Sequence, residues 1–382
     1  MEKLKYLKVN FLDVQQHLNK IFFSIKKVLL EVFKRNDFIL GEDVFEFERC
    51  FSRYCGYSFA VGLNSGTDAL FLSLKALDIG EGDEVIVPVF TFIATANAVS
   101  YTGARPVFVD IDEKTYTIDS EKIEKAITKK TKAIIPVHLF GQCANMSVIM
   151  KIAKKYRLHV IEDACQAHGA QYYFRNGRKI KTVKAGAIGD VGCFSFYPTK
   201  NLGGFGDGGM AVTNKRTLYR RLLQLRDCGR ISRYKHAIIG YNSRLDTLQA
   251  AGLLVKLNYL DEWNRRRKQI ASWYFDLLKD SKVILPCCAD YSSHVYHIFA
   301  VRVPKRDKVA EFLSSCQIGT AIHYPIPLHL QPAYKFLGYK KGDFPVAEKI
   351  SQSILSLPMH PFLTKKQVIF VAQKLKEAID KV

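Results

Sequence analysis

The 382-residue chain has no C-x-x-C pair, no 20–50-residue repeat and no low-complexity tract. It also has no run of about 18 apolar residues, the length a helix needs to cross a bilayer. Its most apolar early segment, IFFSIKKVLLEVF, is broken by Lys26, Lys27 and Glu31. The start, MEKLKYLKVNFLD, carries acids and lacks an apolar core, so neither a secretory leader nor a membrane span is expected. Three catalytic signatures are missing as well: G-x-x-x-x-G-K-[ST], H-E-x-x-H and G-x-S-x-G. Acids are scarce beside bases, 36 Asp+Glu against 57 Lys+Arg, for a formal net charge of +21. Such an excess invites nucleic acid, an anionic membrane or a phosphorylated substrate. The signs are interspersed and no basic tail exists, which assigns most of the excess to solvated faces. The basic stretches at 265–268 and 215–236 carry neither an aromatic-interleaved motif nor a helix-turn-helix pattern, so nucleic acid is not expected as a partner.

The hydrophobic content of 48% is ample for a packed core. The nine cysteines are odd in number and lie mostly in apolar stretches, such as Cys193 in VGCFSF. Free thiols of that kind fit a reducing cytoplasm and no metal site. Between Asn64 and Thr213 two periods alternate. Short β-branched runs read as buried strands at 84–88, 106–111, 133–138, 159–163, 192–196 and 210–213. Helical patterns separate them at 66–77, 93–100, 120–128 and 146–156. This alternation predicts an α/β fold with a mainly parallel sheet flanked by helices. Ligands of such sheets bind beyond the carboxyl ends of strands. A long helical pattern over 244–278 leads into a smaller α+β texture. Residues 1–245 therefore read as a large α/β domain, and 246–382 as a linking helix plus a small C-terminal domain.

Three segments carry candidate chemistry. NSGTDAL (64–70) is a small-residue turn opening a helix, which can be a phosphate cradle or an ordinary helix cap by Asn64 or Ser65. VIEDACQAHGA (160–170) sets Glu162 and Asp163 at a strand end on opposite faces, so one of them can face a ligand. His168 in the same segment reads as a hydrogen-bonded structural residue before it reads as a ligand. FSFYPTKNLGGFGDGG (194–209) offers Ser195, then Lys200, then a glycine-rich loop. Its formal G-x-G-x-x-G is followed by a strand where a dinucleotide site requires a helix. An acid, an amine and an anion cradle, each beside a strand end, are together what pyridoxal phosphate requires.

At these residues the chain resembles the DegT-like family of nucleotide-sugar aminotransferases, which have fold type I and depend on pyridoxal 5'-phosphate. Six segments carry the likeness in order: SGTDAL, PVFTFIATANAV, EDACQAHGA, FSFYPTKNLGGFGDGG, GYNSRLDTLQAA and HYPIPLHLQPAY. The resemblance implies that Lys200 is the catalytic lysine that binds the cofactor covalently. It implies that Asp163 pairs with the pyridine nitrogen, Gln166 lies beside the ring, and Phe92 stacks on it. Gly66, Thr67 and Ser195 match the phosphate-binding positions. Asn242 matches a residue that the family supplies from the second subunit, which implies a homodimer with shared active sites. Relatives with histidine in place of the lysine are dehydratases; this chain keeps lysine. The implied reaction moves an amino group from L-glutamate to a nucleotide-linked keto-6-deoxyhexose, for amino sugars of surface glycans such as lipopolysaccharide. The likeness is nearest to enzymes acting at C3 of dTDP-linked sugars, with C4 aminotransferases of UDP- or dTDP-4-keto sugars as the runner-up. The latter more often carry an aromatic where Ser243 stands. Candidate substrate residues are Tyr197, Arg230, His323, Tyr324 and His329, with Arg233 and Lys235 as further partners for the diphosphate.

Overall fold

The computed structural model describes residues 7–177 and 179–381. Its centre is a seven-stranded sheet. In chain order the strands are β1 (Phe59–Leu63), β2 (Glu84–Pro88), β3 (Arg105–Val109), β4 (Thr131–Ile134) and β5 (His159–Asp163). A separate hairpin follows, β6 (Gln171–Asn176) with β7 (Lys179–Lys184), and then β8 (Val191–Ser195) and β9 (Gly209–Thr213) complete the sheet. The spatial order is β1-β9-β8-β5-β4-β2-β3. Only β9 runs against the others.

Both faces of the sheet are covered, which is why its strands read as near-continuous apolar runs. In β2, Val85 and Val87 enter the core shared with the helices Gly66–Ala76 and Ala94–Tyr101, while Ile86 enters the opposite core with Ile149 and Val160. At the β8–β9 end the second face is aromatic: Phe194 and Phe196 pack on Phe47 and Phe51 of the helix Glu42–Cys55.

The C-terminal residues build a further core around the strand Phe299–Arg302, which pairs antiparallel with Ile354–Leu357. Phe299 and Val301 point into a core with Tyr274, Leu313 and Leu375, whereas Ile298 and Ala300 join the core of the large sheet. One strand thus faces both cores, and its lead-in carries His297 and Ile298 to the mouth of the sheet.

Several elements differ from the sequence expectation. The stretch 120–128 forms turns and a single 3-10 turn, Glu124–Ala126, because only Ile123 among its apolar residues is buried. The 244–278 pattern is two helices, Thr247–Leu257 and Leu260–Leu278, separated at Asn258–Tyr259. The first of them packs on the helices Val14–Arg35 and Glu42–Cys55. No helix among the described residues is long and apolar enough to cross a membrane.

Candidate active site

A cavity of about 510 Å³ opens beyond the carboxyl ends of β5 and β8. Alternation along β5 turns Asp163 to this cavity and Glu162 away from it. Glu162 is fully buried on the far side. It accepts backbone N–H groups from Gly186 (2.9 Å), Ile188 (2.6 Å) and Gly189 (2.5 Å). It also accepts from His138 Nε2 at 2.8 Å, whose Nδ1 in turn accepts the Ala144 N–H at 3.1 Å. The acid facing away is thus saturated with donors, which is the condition for burying a carboxylate. Asp163 is held differently: its Oδ2 accepts Thr95 Oγ1–H at 2.8 Å and its Oδ1 accepts the Cys165 N–H at 3.2 Å.

Lys200 enters the same cavity from the loop after β8, its backbone N–H donating to Tyr197 O at 2.9 Å. Burial lowers the pKa of its amine, with Cys165 and Asp163 opposing the shift. A lysine so placed has a larger neutral fraction than one in water, and the neutral form is the nucleophile. The loop itself is closed by Phe196 N–H to Gly208 O and Gly204 N–H to Phe196 O, both 2.7 Å.

The helix Gly66–Ala76 points its first turn into the cavity. Ser65 caps it by accepting the Asp68 N–H at 3.1 Å. A Cβ at Gly66 would lie 2.6 Å from Ser195 Cβ and 2.9 Å from Cys165 Sγ, so glycine alone lets this helix start abut the two strand ends. A helix N-terminus of this kind holds an anion. Amine, carboxylate and anion cradle share one cavity, and that donor set suits pyridoxal phosphate.

Gln166 bridges the wall: its Oε1 accepts the Phe140 N–H at 2.8 Å, and its Nε2 donates to the Tyr324 hydroxyl at 3.1 Å. Phe92 lines the cavity 56% exposed, its centroid 6.2 Å from that of Tyr324. His323 bonds Ser356 Oγ through Nδ1 at 2.9 Å, and burial, aided by Lys200, lowers its pKa to about 4.

The cavity therefore brings together Gly66, Thr67, Phe92, Asp163, Gln166, Ser195, Tyr197, Lys200, His323 and Tyr324. Five expected residues lie elsewhere, Arg233 and Lys235 among them on the exposed hairpin that carries Arg230. His329 is a correction: it is buried against Phe344, with Nε2 bonded to Glu348 at 2.9 Å, and has no access to the cavity. Arg230 lies on an exposed hairpin, 3.4 Å from Asp227. Asn242 is exposed and accepts from Arg244 at 2.8 Å. His168 is buried outside the cavity against Phe194 and Phe196. Sequence reasoning missed Thr95, Asp207 and His297, all of which line the cavity.

The model of the DegT/DnrJ/EryC1/StrS aminotransferase family matches residues 21–376. The chain belongs to this family. Similar curated proteins are a pleiotropic regulatory protein of Geobacillus stearothermophilus, 44% identical over 97% of this chain and 98% of that one, and the dTDP-3-amino-3,6-dideoxy-alpha-D-galactopyranose transaminase of Aneurinibacillus thermoaerophilus, 44% identical over 98% and 99%. Among solved structures, DesV of S. venezuelae in complex with a ketimine intermediate superposes with a TM-score of 0.94, at 42% identity over 98% of this chain and 99% of that one. NtdA of Bacillus subtilis with bound cofactor PMP superposes at 0.88, with 33% identity over 98% and 87%. The architecture is that of fold type I aminotransferases.

Proposed function

We propose that the chain is a pyridoxal-phosphate-dependent aminotransferase that moves the amino group of L-glutamate to C3 of a dTDP-linked 3-keto-6-deoxyhexose. The observation that carries this reading is one cavity bounded by a partly buried amine, Lys200, a carboxylate held on both oxygens, Asp163, and the open helix start at Gly66. The bound cofactor supplies an electron sink for the carbon that loses its proton. Lys200 holds the cofactor between turnovers and then carries the proton as base and acid. Asp163 keeps a proton on the pyridine nitrogen, Gly66, Thr67 and Ser195 take the phosphate, and Phe92 and Gln166 flank the ring. Tyr197, His323 and Tyr324 face the sugar.

C3 regiochemistry is supported by the Aneurinibacillus transaminase, whose product carries its amine there and which aligns over nearly the whole of both chains. A regulator that performs no chemistry would have no use for Lys200 and Asp163 in one cavity. The enzyme works as a cytoplasmic homodimer, with Asn242 and Arg230 reaching the cavity of the other copy. Tyr234 and Ile239, 83% and 91% exposed near Asn242, support a covered surface there.

Incubation with glutamate and a dTDP-3-keto-6-deoxyhexose should yield an amino sugar whose nitrogen is assigned to C3 by NMR. An amine at C4 overturns the regiochemistry. Lys200→Ala should abolish turnover and the visible band of the lysine-bound cofactor; a fully active variant overturns the mechanism.

A further inference from the structure

His297 lines the cavity, yet it belongs to none of the segments that carried the sequence reading. Its protonation pattern follows from a chain of buried amides. The His168 carbonyl can only accept, and it accepts from Asn264 Nδ2 at 2.8 Å. Asn264 must therefore turn Oδ1 to Asn201, whose Nδ2 donates to it at 2.8 Å and to Val295 O at 3.3 Å. That leaves Asn201 Oδ1 facing His297 Nδ1 at 3.2 Å, so Nδ1 carries the proton. Burial, reinforced by nearby Lys200 and Arg267, holds the ring pKa well below the ordinary histidine range. A neutral ring protonated at Nδ1 has a bare lone pair on Nε2. No described residue donates to that atom.

We propose that His297 is a sugar-recognition residue, whose Nε2 accepts a hydrogen bond from a hydroxyl of the keto-sugar substrate. Both substrates of the proposed reaction visit this cavity in turn, and the chemistry of the lone pair separates them. The amine of glutamate is the transferred group and is engaged at the cofactor, and its carboxylates are acceptors that gain nothing from a second acceptor. A hexose presents O–H donors. The residue thus favours the second substrate at no benefit to the first. This inference rests on the aminotransferase reading above.

The test uses the holoenzyme and takes the two half-reactions apart by the visible band, which glutamate bleaches and the keto sugar restores. His297→Asn keeps an amide N–H for Asn201 but withdraws the acceptor from the cavity. It should slow the sugar half-reaction about tenfold and leave the glutamate half-reaction within about twofold. His297→Gln, which returns an acceptor to the same reach, should recover most of the loss. Calorimetric titration adds a readout independent of turnover. dTDP-glucose, which has the ring hydroxyls and no keto group, should lose its affinity advantage over dTDP in His297→Asn. Equal slowing of both half-reactions, or an unchanged preference for dTDP-glucose, overturns the assignment. So does a His297→Asn chain that fails to fold or to take up the cofactor, since that makes the residue structural. Failure of the aminotransferase reading looks different: glutamate would not bleach the unsubstituted enzyme at all.

Discussion

Asp163 shows how much of a site is set by its neighbours. The Thr95 hydroxyl has one proton and gives it to Asp163 at 2.8 Å, so its contact with Thr91 Oγ1 at 3.2 Å must run the other way, with Thr91 donating. This ordered pair of hydroxyls fixes one carboxylate oxygen while the Cys165 N–H fixes the other. A hydrogen bond to a charged acceptor contributes about 1.5–3 kcal/mol. Thr95→Val keeps the shape and removes the donor, so cofactor affinity should weaken roughly tenfold or more. Thr95→Ser should retain it. Absorbance titration of the cofactor-free protein checks this, and equal affinities for all three chains would show that Asp163 needs no such support. Lys200 and Asp163 were legible because one follows and the other ends an apolar strand inside a distinctive segment. Thr95 and His297 were not. Their contacts join residues 68 and 96 positions apart, and a threonine in a first helical turn or a histidine ahead of a strand has no local pattern to announce such a partner.

At the scale of elements, the site depends on how closely one helix start approaches two strand ends. The strands 84–88 and 159–163 and the helix 146–156 match their sequence patterns residue for residue, since burial on both faces or a clear apolar stripe leaves no competing arrangement. The hairpin β6–β7 escaped notice because its second strand, KIKTVK, is mostly exposed and carries no core-facing alternation. The helix Gly66–Ala76 was readable, but its intimacy with Ser195 and Cys165 was not, because a glycine at a helix start serves equally well in open solvent. The structure distinguishes the two cases: a methyl group at Gly66 collides with both neighbours. Gly66→Ala should displace the first turn from the strand ends and weaken phosphate binding, while the sheet itself stays folded. The expected result is a cofactor affinity lower by about tenfold or more with little change in the far-UV circular dichroism. Unaltered affinity would place the phosphate elsewhere.

The whole chain carries a net charge of +21, and little of it lies at the cavity. Among the described residues Lys200 is the one lysine on the wall, with Asp163 and Asp207 also lining it, while Arg230 lies on an exposed hairpin of the same chain. In the proposed homodimer, the diphosphate of a nucleotide sugar would draw its cations from the second copy. Asn242 gives the proposed shared site a decisive test, because it is exposed and bonded to Arg244 rather than facing the cavity of its own chain. Lys200→Ala and Asn242→Ala should each be impaired as homodimers. If Asn242 serves the other copy, a mixed dimer has one site with both defects and one site with neither. Random reassortment of equal amounts places half the dimers in the mixed class, so activity should return to about a quarter of the unsubstituted value. If Asn242 serves its own chain, both sites of the mixed dimer are defective and mixing restores nothing. Unfolding and refolding the two variants together, then measuring amino-sugar formation against each variant alone, separates the outcomes. Sedimentation of the same mixture verifies that dimers have formed.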